Sequence, residues 1–163
     1  MVFCEGYGMV HNPFFNQLPL VGSKGQILII YAPELKLDSI LKGPIFIAPL
    51  GKDIYWAGAS FEQKDKSLSI TAEGAQWLQD KIARMIDVPY TVKKQITHIR
   101  PTVKDRRPLL GTHDQHTNLH LFNGMGSRGV LTAPTAAKWL FNHIEGKDNL
   151  PKEVDINRFE KID

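Results

Sequence analysis

Apolar positions recur along this chain with two periods, and the changes from one to the other divide it into elements. Three stretches with strand character come first: Gly25 to Tyr31, Pro44 to Leu50 and Ile54 to Ser60. Only Gly51, Lys52 and Asp53 separate the second from the third, a short glycine-bearing connection that predicts a hairpin. Pro33, in Ala32-Pro33-Glu34, ends regular pairing after the first. The period then lengthens, with Ala75, Leu78, Ile82, Met85 and Ile86 at helical spacing and Gln79, Asp80, Lys81 and Arg84 left to solvent. Thr71 is placed to cap this helix, Glu73 falls in its first turn, and Pro89 closes it.

Alternation returns from Tyr90 to Thr102, where Val92, Ile96 and Ile99 stand among polar residues and predict a long, half-exposed strand ending at Arg100-Pro101. A short alternating strand (Leu119, Leu121, Asn123) runs into Gly124-Met125-Gly126-Ser127-Arg128-Gly129. The helix expected from Val130 carries Ala133, Ala137, Leu140, Phe141 and Ile144 on one face, with Gly146 as its terminator. Lys147 to Asp163 reads as a polar tail without an apolar strand. At the other end, Val2 to Gly6 reads as the close of a buried strand entering a glycine turn, which suggests a chain cut from something longer. There is no internal repeat and no low-complexity segment. Strands dominate and helices flank them, so the expected fold class is α+β with a mainly antiparallel sheet.

The totals narrow the function classes. A length of 163 residues allows one domain or slightly more, and 42% apolar with 23% charged content is ordinary for a globular chain. Net charge is +3, too small to argue for nucleic acid by itself. Cys4 is the single cysteine and cannot form an internal disulfide, so a reducing cytoplasm is the expected setting. The longest apolar run, Ile27 to Ala32, is far short of a membrane span.

The glycine run has the spacing of a dinucleotide fingerprint, but no return strand follows, and Glu145, at roughly the right offset for a ribose-binding acid, ends a helix. Its local physics still favours a ligand. Glycines admit close backbone approach, and amides at a helix start attract an anion or an electron-rich carbonyl. Arg100 is the cation best placed to grip a carboxylate with two parallel hydrogen bonds, the plainer alternative being a surface ion pair with Asp105. His113, His116 and His120 have ligand-like spacing but share no helical face and have no cysteine to complete a set, so no metal is expected. Lys93, Lys94, Arg100, Lys104, Arg106 and Arg107 form a loosely basic stretch, explained by a solvated face or by an RNA footprint. Trp56, Trp77 and Trp139 are expected in packing. No Ser, His and Asp set has the strand-to-helix elbow that nucleophilic catalysis needs.

Taken in order, Arg100-Pro101-Thr102-Val103-Lys104-Asp105-Arg106-Arg107-Pro108-Leu109-Leu110-Gly111, Asn118 to Phe122, Gly124 to Gly129 and Ala133-Pro134 resemble the carboxy-terminal region of the FAD-dependent amine oxidoreductases typified by glycine oxidase, D-amino acid oxidase and sarcosine oxidase. Pro19-Leu20 to Gly25-Gln26-Ile27-Leu28 is similar to the segment leading from the flavin domain of that family into its substrate domain. The likeness extends to Phe159 and implies a chain that begins after the family's own dinucleotide fingerprint. The domains it implies are a remnant of the FAD-binding domain with its connection (1–24), the substrate-binding sheet (25–110), a return to the FAD-binding domain (111–146) and a tail (147–163).

By the same resemblance Arg100 binds the substrate carboxylate, and Gly124, Met125, Gly126, Ser127, Arg128 and Gly129 meet the flavin, with backbone amides from Gly126 to Gly129 facing its pyrimidine ring. Phe46 stands where glycine oxidase has a tyrosine that assists carboxylate binding, and Phe61 falls at a pocket-lining position. No protein nucleophile is implied. The implied function is oxidation of the CH–NH bond of an amino acid or related amine by an FAD-dependent parent, which this fragment alone would not perform. The implied partners are an amine substrate and a missing amino-terminal FAD-binding half, without a membrane. The alternatives are a tRNA-modifying FAD-dependent oxidase domain and a non-catalytic ligand-binding domain of the same fold.

Overall fold

The computed structural model describes residues 1–159. Its elements, in chain order, are β1 (Val2–Phe3), β2 (Ser23–Tyr31), β3 (Leu41–Lys42), β4 (Phe46–Gly51), β5 (Ile54–Gly58), α1 (Ala72–Ile82), β6 (Thr91–Arg100), β7 (Leu109–Thr112), β8 (His120–Asn123) and α2 (Gly129–Ile144), with short 3-10 turns between some of them. The chain forms two compact units, one of Lys24–Ile99 and one of Met1–Ser23 with Arg100–Asp163. Residues 100–110, expected with the sheet domain, therefore group with the chain ends.

The five-stranded sheet has the order β3-β4-β5-β2-β6. The β4–β5 hairpin is closed by Gly51, Lys52 and Asp53, all at positive φ. Alternation sorts its residues cleanly. Leu28, Ile30, Ile47, Tyr55 and Ala57 are buried with Leu78 and Ile82 of α1. The intervening positions fall on the other face in register, as Ile27–Gly58–Phe46 and Ile29–Trp56–Ala48. Burying a side chain the size of Leu78 or Ile82 stabilises by about 1.5–3 kcal/mol, so this apolar layer, more than helix propensity, holds α1 in place.

Thr71 caps α1 as its sequence predicts, its hydroxyl accepting from the Gly74 amide at 3.0 Å. The helix stops at Ile82, short of the predicted Ile86. The Met85 and Ile86 amides both turn onto the Ile82 carbonyl, at 2.8 and 3.1 Å, while their side chains stay on the core. Gln26, the polar residue in the apolar run of β2, ties the layer together: it exchanges hydrogen bonds with the Thr71 amide and hydroxyl and accepts from Gln95 at 2.7 Å.

The second unit is built on a three-stranded sheet, β1-β8-β7, with β1 parallel and β7 antiparallel to β8. Val2 is exposed, so this edge strand is not the buried one its composition predicts. On α2 the buried residues are Ala136 and Leu140, whereas Phe141 and Ile144 of the expected apolar face are exposed. Pro134 lies inside α2 and removes the amide that would bond to the Val130 carbonyl, but Val130 is fully in solvent and water can serve that carbonyl. Gly146, at positive φ, follows the helix and donates to the His143 carbonyl, as expected of its terminator.

The tail is more than polar residues. Leu150, Val154 and Ile156 are buried, and the Leu110 amide donates to the Val154 carbonyl at 2.9 Å. Residues 160–163 of the expected tail lie outside the described residues. Together the two sheets and their helices give an α+β fold with mainly antiparallel pairing, as predicted.

Candidate functional site

The glycine bend is held from three directions. At the end of β8 the buried Asn123 accepts from the Gly124 amide through Oδ1 and donates to the Gly6 carbonyl through Nδ2, each at 2.8 Å. Gly124 has φ +74°, and a Cβ there would lie 2.7 Å from Val103 Cγ2 and 2.9 Å from the Leu109 nitrogen, so both conformation and space require glycine. Gly126, at φ +57°, donates its amide to the Pro101 carbonyl at 3.0 Å.

A 3-10 turn, Gly126–Arg128, then leads into α2. No side chain caps the start of α2, and its first turn holds no acid. The contrast with α1, which has both Thr71 and Glu73, leaves the positive end of the α2 dipole without a carboxylate of its own. Not every amide of the bend points outward: Gly126 bonds to Pro101, and Arg128 bonds to the Met125 carbonyl at 3.3 Å.

Arg100 is the last residue of β6 and is half-buried. Burial pushes its guanidinium pKa below the ordinary value, the direction expected for a cation drawn partly out of water. Immediately after it the chain folds tightly, with the Thr102 amide on the Arg100 carbonyl at 2.9 Å and the amides of Val21 and Gly22 on the Thr102 carbonyl. The structure thus brings the strand end that carries Arg100 against the glycine bend, through Pro101 and Gly126. Asp105, the surface partner considered for Arg100, has its carboxylate on Arg158 at 2.8 Å.

Phe46 and Phe61 belong to the other unit. Phe46 is 44% exposed on β4, opposite Gly58, with Lys42 Nζ 5.9 Å from its ring centre. Phe61 lines a surface cleft of about 370 Å³ with Gln26, Gly74, Trp77 and the buried Lys24. Phe46 does not line that cleft. Lys24 donates to Asp65 at 2.5 Å and to the Ser67 hydroxyl, and this first contact draws the Asp65 carboxyl down to about 2.

The three histidines fall into two places. His113 and His116 lie against each other and both meet Phe14 edge-to-face, as His113 also meets Phe15. His120 shares the Thr112 hydroxyl with His143, at 2.9 and 3.0 Å. Among the described residues, no group of three His, Cys, Asp or Glu side chains is placed to hold a metal ion. No helix among them is long and apolar enough to cross a membrane. Two features have little sequence signal: the Arg158–Asp105 pair spans 53 residues, and nothing local announces the His120–Thr112–His143 bridge. Gln26 is the exception, since a glutamine within an apolar strand is itself conspicuous.

The chain is 24% identical to the tRNA 5-methylaminomethyl-2-thiouridine biosynthesis bifunctional protein MnmC of Azoarcus sp. (strain BH72), over 95% of the chain and 28% of that protein. The MnmC of Idiomarina loihiensis is likewise 24% identical, over 88% of the chain and 25% of its own length. Among solved structures, glycine oxidase from Geobacillus kaustophilus superposes with a TM-score of 0.75 at 22% identity, covering 91% of this chain and 42% of the oxidase. L-proline dehydrogenase from P. horikoshii superposes with a TM-score of 0.76 at 16% identity, covering 98% and 46%. The structural likenesses establish the fold, and the chain spans about a quarter of these curated relatives and less than half of these two solved structures. The family described as FAD dependent oxidoreductase (DAO) matches residues 1–142, and the chain belongs to that family.

Proposed function

We propose that this chain is the substrate-binding part of an FAD-dependent oxidoreductase that oxidises the CH–NH bond of an amino acid or a related amine. The observation that carries the proposal is the hydrogen bond from the Gly126 amide to the Pro101 carbonyl. It ties the bend that would meet the flavin to the residue following the arginine that would hold a carboxylate.

The bend fits a flavin edge on physical grounds. Gly124 and Gly126 keep the backbone open to close approach, and the uncapped start of α2 offers amides and a positive dipole end to an electron-rich ring. Residues Gly124 to Gly129 would hold the ring, with the α2 start as the main donor because the Gly126 and Arg128 amides already have acceptors. When bound, FAD supplies the electron chemistry, accepting a hydride equivalent from the substrate. The role of the chain is placement. The Arg100 guanidinium, half-buried and anchored by the turn after it, fixes a carboxylate in direction as well as distance. Phe46 and Phe61 keep the substrate-contacting roles that the resemblance gives them. By itself the chain is expected to be inactive.

The test is to express this chain joined to a dinucleotide-binding half and screen it with a panel of amines and a redox dye. Flavin absorbance and dye reduction with a carboxylate-bearing amine support the reading. A colourless protein, or a yellow one inert to every amine, opposes it.

The MnmC relatives favour a second reading, in which the amine is part of a modified tRNA base. Each unit has exposed cations suited to phosphate contact, Lys93 and Lys94 in one and Lys104, Arg106 and Arg107 in the other. Binding of tRNA that weakens steeply with salt supports it, and absence of binding at low salt removes it.

A further inference from the structure

Arg158 lies beyond residues 1–142, the part matched by the family, yet it reaches back into the loop that precedes β7. Its side chain is 14% exposed. Nε donates to Asp105 Oδ2 at 2.8 Å, Nη2 to Asp105 Oδ1 at 3.3 Å and to the Arg107 carbonyl at 3.4 Å, and Nη1 to the Asp155 carbonyl at 3.0 Å. Only a planar fork of donors meets a carboxylate and two backbone carbonyls at once, and a lysine ammonium lacks that geometry. The segment bearing Arg158 is itself fixed, since Val154 and Ile156 are buried and the Val154 carbonyl takes the Leu110 amide.

The contacts continue from there to the glycine bend. Asp105 Oδ1 also accepts the Arg107 amide at 3.0 Å, and the Arg106 amide bonds to the Val103 carbonyl, so the turn holds Arg106 at φ +60°. The Arg106 carbonyl accepts from Arg128 Nη2 at 3.3 Å, and Val103 occupies the space that a side chain at Gly124 would need. Asp105 is under opposing influences. Burial raises its carboxyl pKa, but the Arg158 guanidinium and the Arg107 amide outweigh that and hold it below the usual range, so the anion persists at neutral pH.

We propose that Arg158 is a positioning residue for the bend Gly124–Gly129, acting through Asp105 and the turn at Arg106 on Arg128, and that it sets the placement of the flavin-facing amides. The role in flavin placement rests on the function proposed above, whereas the mechanical link to the bend does not.

Amide hydrogen exchange on this chain tests the link. Arg158→Lys, which keeps the charge and loses the fork, should speed exchange of the Gly126 and Arg128 amides about tenfold or more while the β8 amide of Leu121 is unchanged. Asp105→Asn should act in the same direction. Unchanged exchange in the bend overturns the link, as does a parallel rise at Leu121, which would mark general destabilisation. The second arm places Arg158→Lys in the chain joined to its dinucleotide-binding half and reads the flavin absorbance. A shifted spectrum or weaker retention supports the role in flavin placement. A loosened bend with an unaltered flavin overturns that role and leaves the mechanical link standing.

Discussion

The amide of Gly126 donates to the carbonyl of Pro101 at 3.0 Å, which places the bend before α2 against the residue that follows Arg100. Two segments separated by 25 residues of chain thereby share one anchored junction within a single unit. If a carboxylate sits on Arg100, replacing Arg100 with Ala removes charge-assisted hydrogen bonds. KM for carboxylate-bearing amines should rise on the order of 10- to 100-fold in the flavin-containing protein. The thermal midpoint should move little, and steady-state kinetics with a matched amine lacking the carboxylate provides the control.

Phe46→Tyr tests the substrate contact proposed for β4. A hydroxyl that reaches the substrate is worth about 0.5–1.5 kcal/mol, so KM for small amino acids should fall roughly two- to tenfold. No change would mean that the exposed ring on β4 does not meet the carboxylate.

Gly124 and Gly146 both have positive φ, but only Gly124 is enclosed. Gly124→Ala combines a left-handed backbone with overlap on Val103 and Leu109, and it should cost about 3 kcal/mol and lower Tm by about 6–12 °C. Gly146→Ala, with open space around it, should cost only about 1 kcal/mol. Calorimetry on the two variants separates strain from crowding.

Acid should weaken the β7–β8 unit through His120. Burial, then the positive amino terminus and His143, lower its pKa from the ordinary 6.5, so the unfolded chain takes up a proton that the folded state resists. Stability is therefore complete above about pH 6.5 and declines as pH falls below it. His120→Gln should flatten the dependence of the urea midpoint between about pH 7.5 and about pH 5.5. Asp65 acts at lower pH: with its carboxyl drawn down to about 2, its contribution is present above the usual 3.8 and is lost as pH falls through about 2.

What the sequence made legible was local. The hairpin at Gly51 to Asp53, the Thr71 cap and the strand ending at Arg100 follow from turn chemistry and period, and the structure has them within a few residues. The face of α2 was not legible, because spacing alone cannot say which side of an apolar helix meets the core, and Phe141 looks outward while Ala136 looks inward. The burial of the tail was not legible for a related reason. Leu150, Val154 and Ile156 are too sparse to form a periodic run, and their burial depends on β7, far earlier in the chain. The juxtaposition of Pro101 and Gly126 likewise has no local signature.

The central claim is that a carboxylate held by Arg100 lies against the flavin carried by the bend Gly124–Gly129. The most direct measurement is a titration of the flavin-containing protein with a simple carboxylate such as acetate, followed by visible absorbance, for the native protein and for Arg100→Ala. The account predicts a saturable change in the flavin spectrum that Arg100→Ala weakens at least tenfold. A flavin spectrum that does not respond to carboxylate, or that responds equally in both proteins, would contradict it.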